Sequence, residues 1–214
     1  MRKGILFAVL AGALAVPTSA SAGTYFSGTP FGFPETTPDA HTIAVSGQVG
    51  SVTGVQANLN GFSSNNPFGA QVVLVGPQGQ KAILMRDTCG GTAVDGLTFN
   101  FTDTAPATLP SNCVGKSGPF KPTDNDPGAG SIPAPAPPAP YATVLSTFNG
   151  TAPNGTWTLF TRDLLVGGDT PSLGGGWSLT IDSAAPPVAK KKKCKKKKHR
   201  SAESAKKKCK KKKR

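Results

Sequence analysis

The chain has few of the residues that common hydrolases need at an active site. It contains only two histidines, and neither a G-x-S-x-G nor an H-E-x-x-H motif nor a phosphate-binding glycine loop occurs. A Ser-His-Asp site needs a histidine as its base. His199 lies in a lysine-rich tail. His41 precedes the first predicted strand, and we interpret it as an ordinary surface histidine. We therefore predict a protein without catalytic activity.

Glycoside hydrolysis, which needs no histidine, is less easily excluded. It requires two carboxyl groups that face each other about 5 or 6.5–9.5 Å apart. The candidates are Asp87, Asp95, Asp103, Asp163 and Asp169. The sequence places no pair of them together, and turns and hairpin ends account for most of these positions.

Helical periodicity is also missing. The chain has instead short runs of alternating or β-branched residues bounded by turn formers, as strands have. These runs are Thr42–Ser46, Gly50–Leu59, Gln71–Val75, Lys81–Arg86, Leu97–Phe101, Ala142–Phe148, Thr156–Arg162 and Gly176–Ile181. A tight turn is predicted at 76–79 (Gly-Pro-Gln-Gly). We expect an all-β fold, a jelly-roll or galactose-binding-like β-sandwich, with Trp157 and Trp177 as core anchors.

Two stretches do not read as strands of the sandwich. Residues 23–40 hold three prolines and four aromatic residues and indicate an extended lead-in on the surface. Residues 111–140 include the run IPAPAPPAP, a polyproline-like spacer. The predicted sandwich therefore covers residues 41–183.

The chain has no apolar run of membrane-spanning length. Residues 1–22 have the features of a signal peptide instead. Arg2 and Lys3 precede a short apolar run, and Ala20-Ser21-Ala22 is an A-x-A cleavage site. We predict a secreted protein, associated with the cell surface, that begins at Gly23.

The chain has few cysteines, and export would place them in a compartment where disulfides form. In an oxidising compartment the simplest of three pairings is Cys89 with Cys113 and Cys194 with Cys209. The second pair lies in the tail, where it is equally able to join two chains. Metal–thiolate binding is disfavoured because neither pair has C-x-x-C spacing.

Basic residues are scarce in the body and concentrated at the C-terminus. Residues 23–189 carry ten acids and five bases, a net charge of −5. After the linker 184–189, residues 190–214 carry 17 Lys/Arg and one acid, a net charge of +16, with KKKCKKKK at 191–198 and 206–213. Such a segment buries nothing apolar and is expected to be disordered.

The tail predicts contact with polyanions. The lysines assigned to it are Lys191, Lys192, Lys193, Lys195, Lys196, Lys197, Lys198, Lys206, Lys207, Lys208, Lys210, Lys211, Lys212 and Lys213. Lysine is a hydrated point charge suited to non-specific contact with phosphate or carboxylate polymers. For an exported protein these are anionic cell-envelope polymers or lipid headgroups. Nucleic acid fits less well because the tail has no aromatic residue to stack on bases.

No cofactor is predicted, although calcium has candidate ligands. Asp124-Asn125-Asp126-Pro127-Gly128 offers D-x-D-x-G, a fragment of a calcium loop that lacks the closing Glu. An Asx-turn explains the same residues without a metal.

The C-terminal half of the body resembles the P domain of proprotein convertases. The motifs are F-x-G at 148–150, N-G-T-W-x-L at 154–159, Asp163, G-D-T at 168–170, Leu173 and W-x-L at 177–179. Residues 49–59, 71–79 and 101–105 agree more loosely. The resemblance covers roughly residues 41–183. It also implies acidic residues near strand ends at Asp103 and Asp163, which are a second candidate site for calcium.

P domains usually follow a subtilisin-like catalytic domain, which this sequence does not contain. We therefore predict a non-catalytic binding or adhesion module, with an unidentified ligand, held at the cell envelope by its polybasic tail. The alternatives are an accessory domain that acts on or beside a separate exported protease, and extracellular nucleic-acid binding through the tail.

Overall fold

The computed structural model describes residues 20–168 and 170–186, and these form two stacked β-sheets with two short 3-10 helices. The strands of the described residues are β1 (Ala20–Ser27), β2 (Phe31–Gly32), β3 (Asp39–Val45), β4 (Ser51–Ser64), β5 (Ala70–Val75), β6 (Lys81–Arg86), β7 (Val94–Phe101), β8 (Gly118–Phe120), β9 (Thr123–Asp124), β10 (Gly155–Asp163), β11 (Ser172–Leu173) and β12 (Trp177–Ala184). The 3-10 helices are Pro67–Gly69 and Leu145–Phe148. The prediction of an all-β sandwich is confirmed.

The two sheets differ in size. Sheet A has the order β1-β12-β4-β11-β2, with β7 on the other edge of β4 and β8 beside β7. Sheet B has the order β3-β10-β5-β6-β9. Neighbouring strands are antiparallel except for the parallel pairs β6–β9 and β7–β8. Within the described part of the chain, no helix has the length and apolar character needed to cross a bilayer.

The core lies between the sheets and follows from strict alternation along the strands. In β4, Val55, Ala57 and Leu59 point inward, while the residues between them face outward. Trp157 and Trp177 are fully buried, which confirms them as core residues. Trp157 packs on Phe148 with ring centroids 4.9 Å apart and donates Nε1–H to the carbonyl of Pro153.

The interpretation of residues 23–40 as a lead-in outside the sheets is wrong. Residues 20–27 form β1, which pairs with β12 along its whole length, and residues 31–32 form β2. Side-chain hydrogen bonds hold β1 in place: the Tyr25 hydroxyl donates to the Ser46 carbonyl and accepts from Gln48. Ser183 in turn donates to Gln48. His41 lies within β3 rather than before the first strand.

The strand predicted at Ala142–Phe148 is also wrong. Only Ala142 makes a β-bridge, and Leu145–Phe148 form a 3-10 helix. The carboxylate of Asp103 accepts hydrogen bonds from the backbone N–H of Leu145 and of Ser146, both 2.7 Å long, and so begins the helical turn. Leu145 and Phe148, three residues apart, then both point into the core.

Residues 111–140 likewise contain strands that the sequence did not predict. Within them, β8 extends sheet A and β9 extends sheet B, each through a parallel pair of two or three residues. The predicted disulfide between Cys89 and Cys113 is confirmed, with both residues fully buried. The disulfide holds the start of residues 111–140, which we call the excursion, beside the end of β6.

Candidate functional site

The outer face of sheet B is covered by the proline-rich excursion. Val73 of β5 and Ile83 of β6 point away from the main core, yet both are fully buried. Ile132 and Ala136 of the excursion pack on them, and Tyr141 and Phe160 border the same cluster. This second cluster explains why Val73 is as fully buried as its inward-facing neighbours in β5, although a sandwich strand normally alternates. We call the segment 131–141 the cover.

An ion pair positions the chain that leads into the cover. Arg86, with 2% of its surface exposed, donates to both carboxylate oxygens of Asp124 and to the carbonyl of Gly130. The side-chain hydrogen bond to Asp124 raises the pKa of Arg86, so the guanidinium group keeps its positive charge. Two parallel N–H donors on one carboxylate fix orientation as well as distance. The ion pair therefore fixes where residues 124–130 cross sheet B.

No segment within residues 20–168 and 170–186 covers the outer face of sheet A in this way, and these residues form a polar groove of about 490 Å³ there. Its floor is built by β4 and β12, and one wall by the segment after β7 and the 3-10 helix at 145–148. The polar lining residues are Thr53, Gln56, Thr102, Asp103, Thr104, Ser146, Asn149, Thr180 and Asp182. None of the residues that the structure places in this lining is aromatic or basic. We call it the sheet A groove.

Asp103 builds the wall of this groove. Both of its carboxylate oxygens are engaged by backbone N–H groups of the 3-10 helix, as described above. The Thr102 hydroxyl lies 3.1 Å from that of Thr104, on the same turn. The two hydrogen bonds hold the 3-10 helix against the segment that follows β7.

Asp182 offers the exposed carboxylate of the groove. It lies on β12 opposite Gly54 of β4. A Cβ added at Gly54 would lie 3.0 Å from Asp182 Oδ2, so glycine leaves the room that this side chain occupies. Beside it, Gln56 donates to Asn58, which donates to Ser178, and this ladder orders the polar side chains of the floor.

The four predicted calcium ligands are not brought to one place as a metal site. Asp103 is engaged with its helix, and Asp124 with Arg86. Asp126 donates its backbone N–H to Asp124 Oδ1, which is the Asx-turn that the sequence also allowed. Asp163 is buried at the end of β10 and accepts from the backbone N–H of Leu165. Among the described residues, no group of three or more His, Cys, Asp or Glu side chains is arranged to hold a metal ion.

Two titratable groups of the body are shifted by burial. Burial raises the pKa of Asp87, and the carboxylates of Asp126 and Asp124 raise it further, while Arg86 opposes them. Burial lowers the pKa of His41, against the opposing effect of Asp39. His41 stacks on Phe31 with ring centroids 3.4 Å apart, which explains its partial burial. Neither group lines the sheet A groove.

Several predicted sites lie outside the described residues. They are the tail lysines from Lys191 to Lys213, the pair Cys194 and Cys209, His199, Asp169 and the predicted signal peptide before Ala20. For the tail, the structure gives only its point of departure. β12 ends at Ala184, next to Gly50, where an added Cβ would lie 2.1 Å from the Ala184 carbonyl oxygen.

Sequence reasoning missed the groove, although part of its signal is visible. The polar residues Ser178, Thr180 and Asp182 alternate with apolar residues in β12, and Gln56 and Asn58 do so in β4. Alternation predicts that each set faces away from the core. It does not show that β12 lies beside β4 or that Asp103 lies at the edge of both.

Comparison with known proteins identifies no family. No protein-family model and no curated protein matches the chain. Among solved structures it is similar to a serine protease of Aeromonas sobria, at 13% identity and a TM-score of 0.41, over 81% of this chain and 28% of that one. The same protease in a complex with a chaperone gives 14% identity and a TM-score of 0.41, over 82% and 28%. A likeness this weak, to chains of which this one spans less than a third, carries no argument about activity or partners.

Proposed function

We propose that this protein is an exported, non-catalytic binding module whose sheet A groove receives the ligand and whose tail, residues 190–214, holds it on anionic cell-envelope polymers or lipid headgroups. The observation that carries the proposal is the difference between the two outer faces. The apolar outer face of sheet B is closed by residues 131–141, whereas the polar outer face of sheet A forms a groove that the described part of the chain leaves open. Binding sites are concave, and convergent polar groups in them fix the orientation of the ligand.

The lining defines the chemistry of the ligand. Hydroxyl and amide groups donate and accept hydrogen bonds, and Asp182 adds a negative charge. Because no base lines the groove within the described residues, an anionic ligand would find no counter-charge there. The groove therefore favours ligands that are neutral and polar or positively charged. We therefore assign the binding of polyanions to the tail and not to the groove.

The engagement of Asp103 supports binding rather than catalysis. Two carboxylates line the groove, as a glycosidase would require, but Asp103 already accepts two backbone hydrogen bonds. In that position it orders the groove wall, and both of its carboxylate oxygens are already engaged by the protein. We accordingly assign it a positioning role.

We further propose that the sandwich is P-domain-like. The N-G-T-W-x-L motif at 154–159 enters β10, and the W-x-L motif at 177–179 begins β12. Both motif tryptophans are fully buried. The resemblance noted in the sequence thus concerns residues that build the core, and it carries no protease activity with it.

Retention on washed cell envelopes across a salt gradient tests the proposal. Residues 23–214 should be retained at low salt and released by salt, because exposed charge contacts are screened within about 10 Å at 0.1 M. Residues 23–189 should not be retained. A full-length chain with the lysines of both repeats changed to glutamine is the matched control, and it should behave like the shorter chain.

The tether is wrong if the shorter chain is retained equally well, since the envelope contact then belongs to the sandwich. Preferential binding of the full chain to DNA over envelope polymer at matched salt would instead favour the nucleic-acid alternative.

A further inference from the structure

The tail leaves the sandwich beside the sheet A groove. Asp182 lies two residues before Ala184, the last residue of β12. Ala184 pairs with Ser51 at the start of β4, while the groove is lined by Thr53 and Gly54 of the same strand. At about 3.3 Å per residue, the exit and the groove floor are about 10 Å apart.

The charges of the two parts are opposite. The groove carries the carboxylates of Asp103 and Asp182 and no base among its described lining residues. The body from 23 to 189 has a net charge of −5, and the tail from 190 to 214 has a net charge of +16. Lysine ammonium groups match both the carboxylate of Asp182 and the hydroxyl oxygens around it.

The length of the connecting chain allows the contact. Five residues, 185–189, separate Ala184 from Lys190. Residues 191–198, the first KKKCKKKK repeat, span up to about 28 Å when extended, which is enough to turn back along the groove. A short link also gives the tail an effective concentration in the millimolar range, so that weak contacts are populated.

We infer that the first repeat, residues 191–198, docks into the sheet A groove of its own chain, so that an envelope polyanion and the groove compete for the tail. This inference rests on the proposed function of the groove and of the tail. Attachment to a polyanion then vacates the groove, and the module is open to its ligand only where it is anchored. Individual exposed ion pairs are weak, so the contact is reversible and sensitive to salt.

Zero-length carbodiimide crosslinking of the full chain at low salt, with peptide mapping of all the products, tests the docking. Crosslinks from Asp182 to lysines 191–198 should exceed those from the exposed Asp39 of β3 severalfold and disappear at high salt. Isotope-labelled and unlabelled chains, mixed in equal amounts, should give links within one chain only. Equal yields from Asp182 and Asp39, or links mainly between chains, would overturn the inference.

A pair of charge-matched variants tests the competition. Asp182→Asn and Asp39→Asn each remove one negative charge, but only the first lies in the groove. If the tail is docked for about two thirds of the time, its release should strengthen binding to dextran sulfate about threefold in Asp182→Asn over Asp39→Asn. Identical affinities of the two variants would contradict competition.

The outcomes separate this inference from the proposed function. Retention of the full chain on envelopes without the Asp182 crosslinks would leave the tether standing and remove the docking. Asp182 crosslinks without retention of the full chain on envelopes would support the docking and contradict the tether.

Discussion

The outer faces of the two sheets differ in polarity and in whether another segment covers them. On sheet B, Val73 and Ile83 are apolar and fully buried beneath Ile132 of the cover. On sheet A, the corresponding face carries Gln56, Thr180 and other polar groups, and none of the described segments covers it. An apolar face must be covered because burying it drives folding, whereas a polar face is stable in water. The comparison therefore separates a face that contributes stability from one that is available for recognition.

The largest effect is expected where the cover is held. Asp124→Ala should lower the free energy of unfolding by about 3–5 kcal/mol, because it leaves the buried Arg86 charge without its partner. Asp126→Ala, two residues away and exposed, should change it by less than about 0.5 kcal/mol. Denaturant unfolding measures both variants. Equal, small losses would show that the ion pair does not hold the cover.

A smaller effect should distinguish the two outer faces directly. Ile132→Ala removes the side chain that packs on Val73 and Ile83, and it should cost about 2–4 kcal/mol. Thr180→Ala on the open face of sheet A should fall within about 0.5 kcal/mol of the native chain. If the two changes cost the same in thermal or denaturant unfolding, the faces do not differ as described.

The smallest effect concerns Asp87, beside the ion pair. Its pKa is raised in the folded state, chiefly by burial, so its contribution to stability is present in full below the ordinary value of 3.8 and is lost as the pH rises through the folded value. Asp87→Asn should therefore stabilise the protein at neutral pH. The gain should vanish below pH 3.8. Asparagine also tolerates the φ of 51° at this position.

Unfolding curves from pH 3 to 8 measure the Asp87 effect, with Asp95→Asn as an exposed control. A gain that is independent of pH would mean that the charge of Asp87 is not its cause.

Much of sheet B was predictable from the sequence, and the reason is local. The strand predicted at Lys81–Arg86 matches β6 residue for residue, because apolar β-formers and the turn at 76–79 define both of its ends. Gly79 has a φ of 84°, as that turn requires. Long alternating segments such as β10 were likewise found within one residue at each end.

The cover and the groove were less predictable because both depend on distant contacts. β8 and β9 are three and two residues long, and they form only where the excursion meets β7 and β6. The sequence at 142–148 alternates like a strand, yet Asp103, about forty residues away, makes part of it helical. The sheet A groove required the strand order, which alternation alone does not supply.

The central claim is that anchoring and recognition use different parts of the chain, with the sheet A groove left free. Carboxylate footprinting of the full chain, free and bound to washed envelopes, tests it most directly. The account predicts that Asp182 becomes more reactive on attachment, while Asp39 on sheet B keeps its reactivity. Protection of Asp182 on attachment, with Asp39 unchanged, would contradict the account, because the groove itself would then face the envelope.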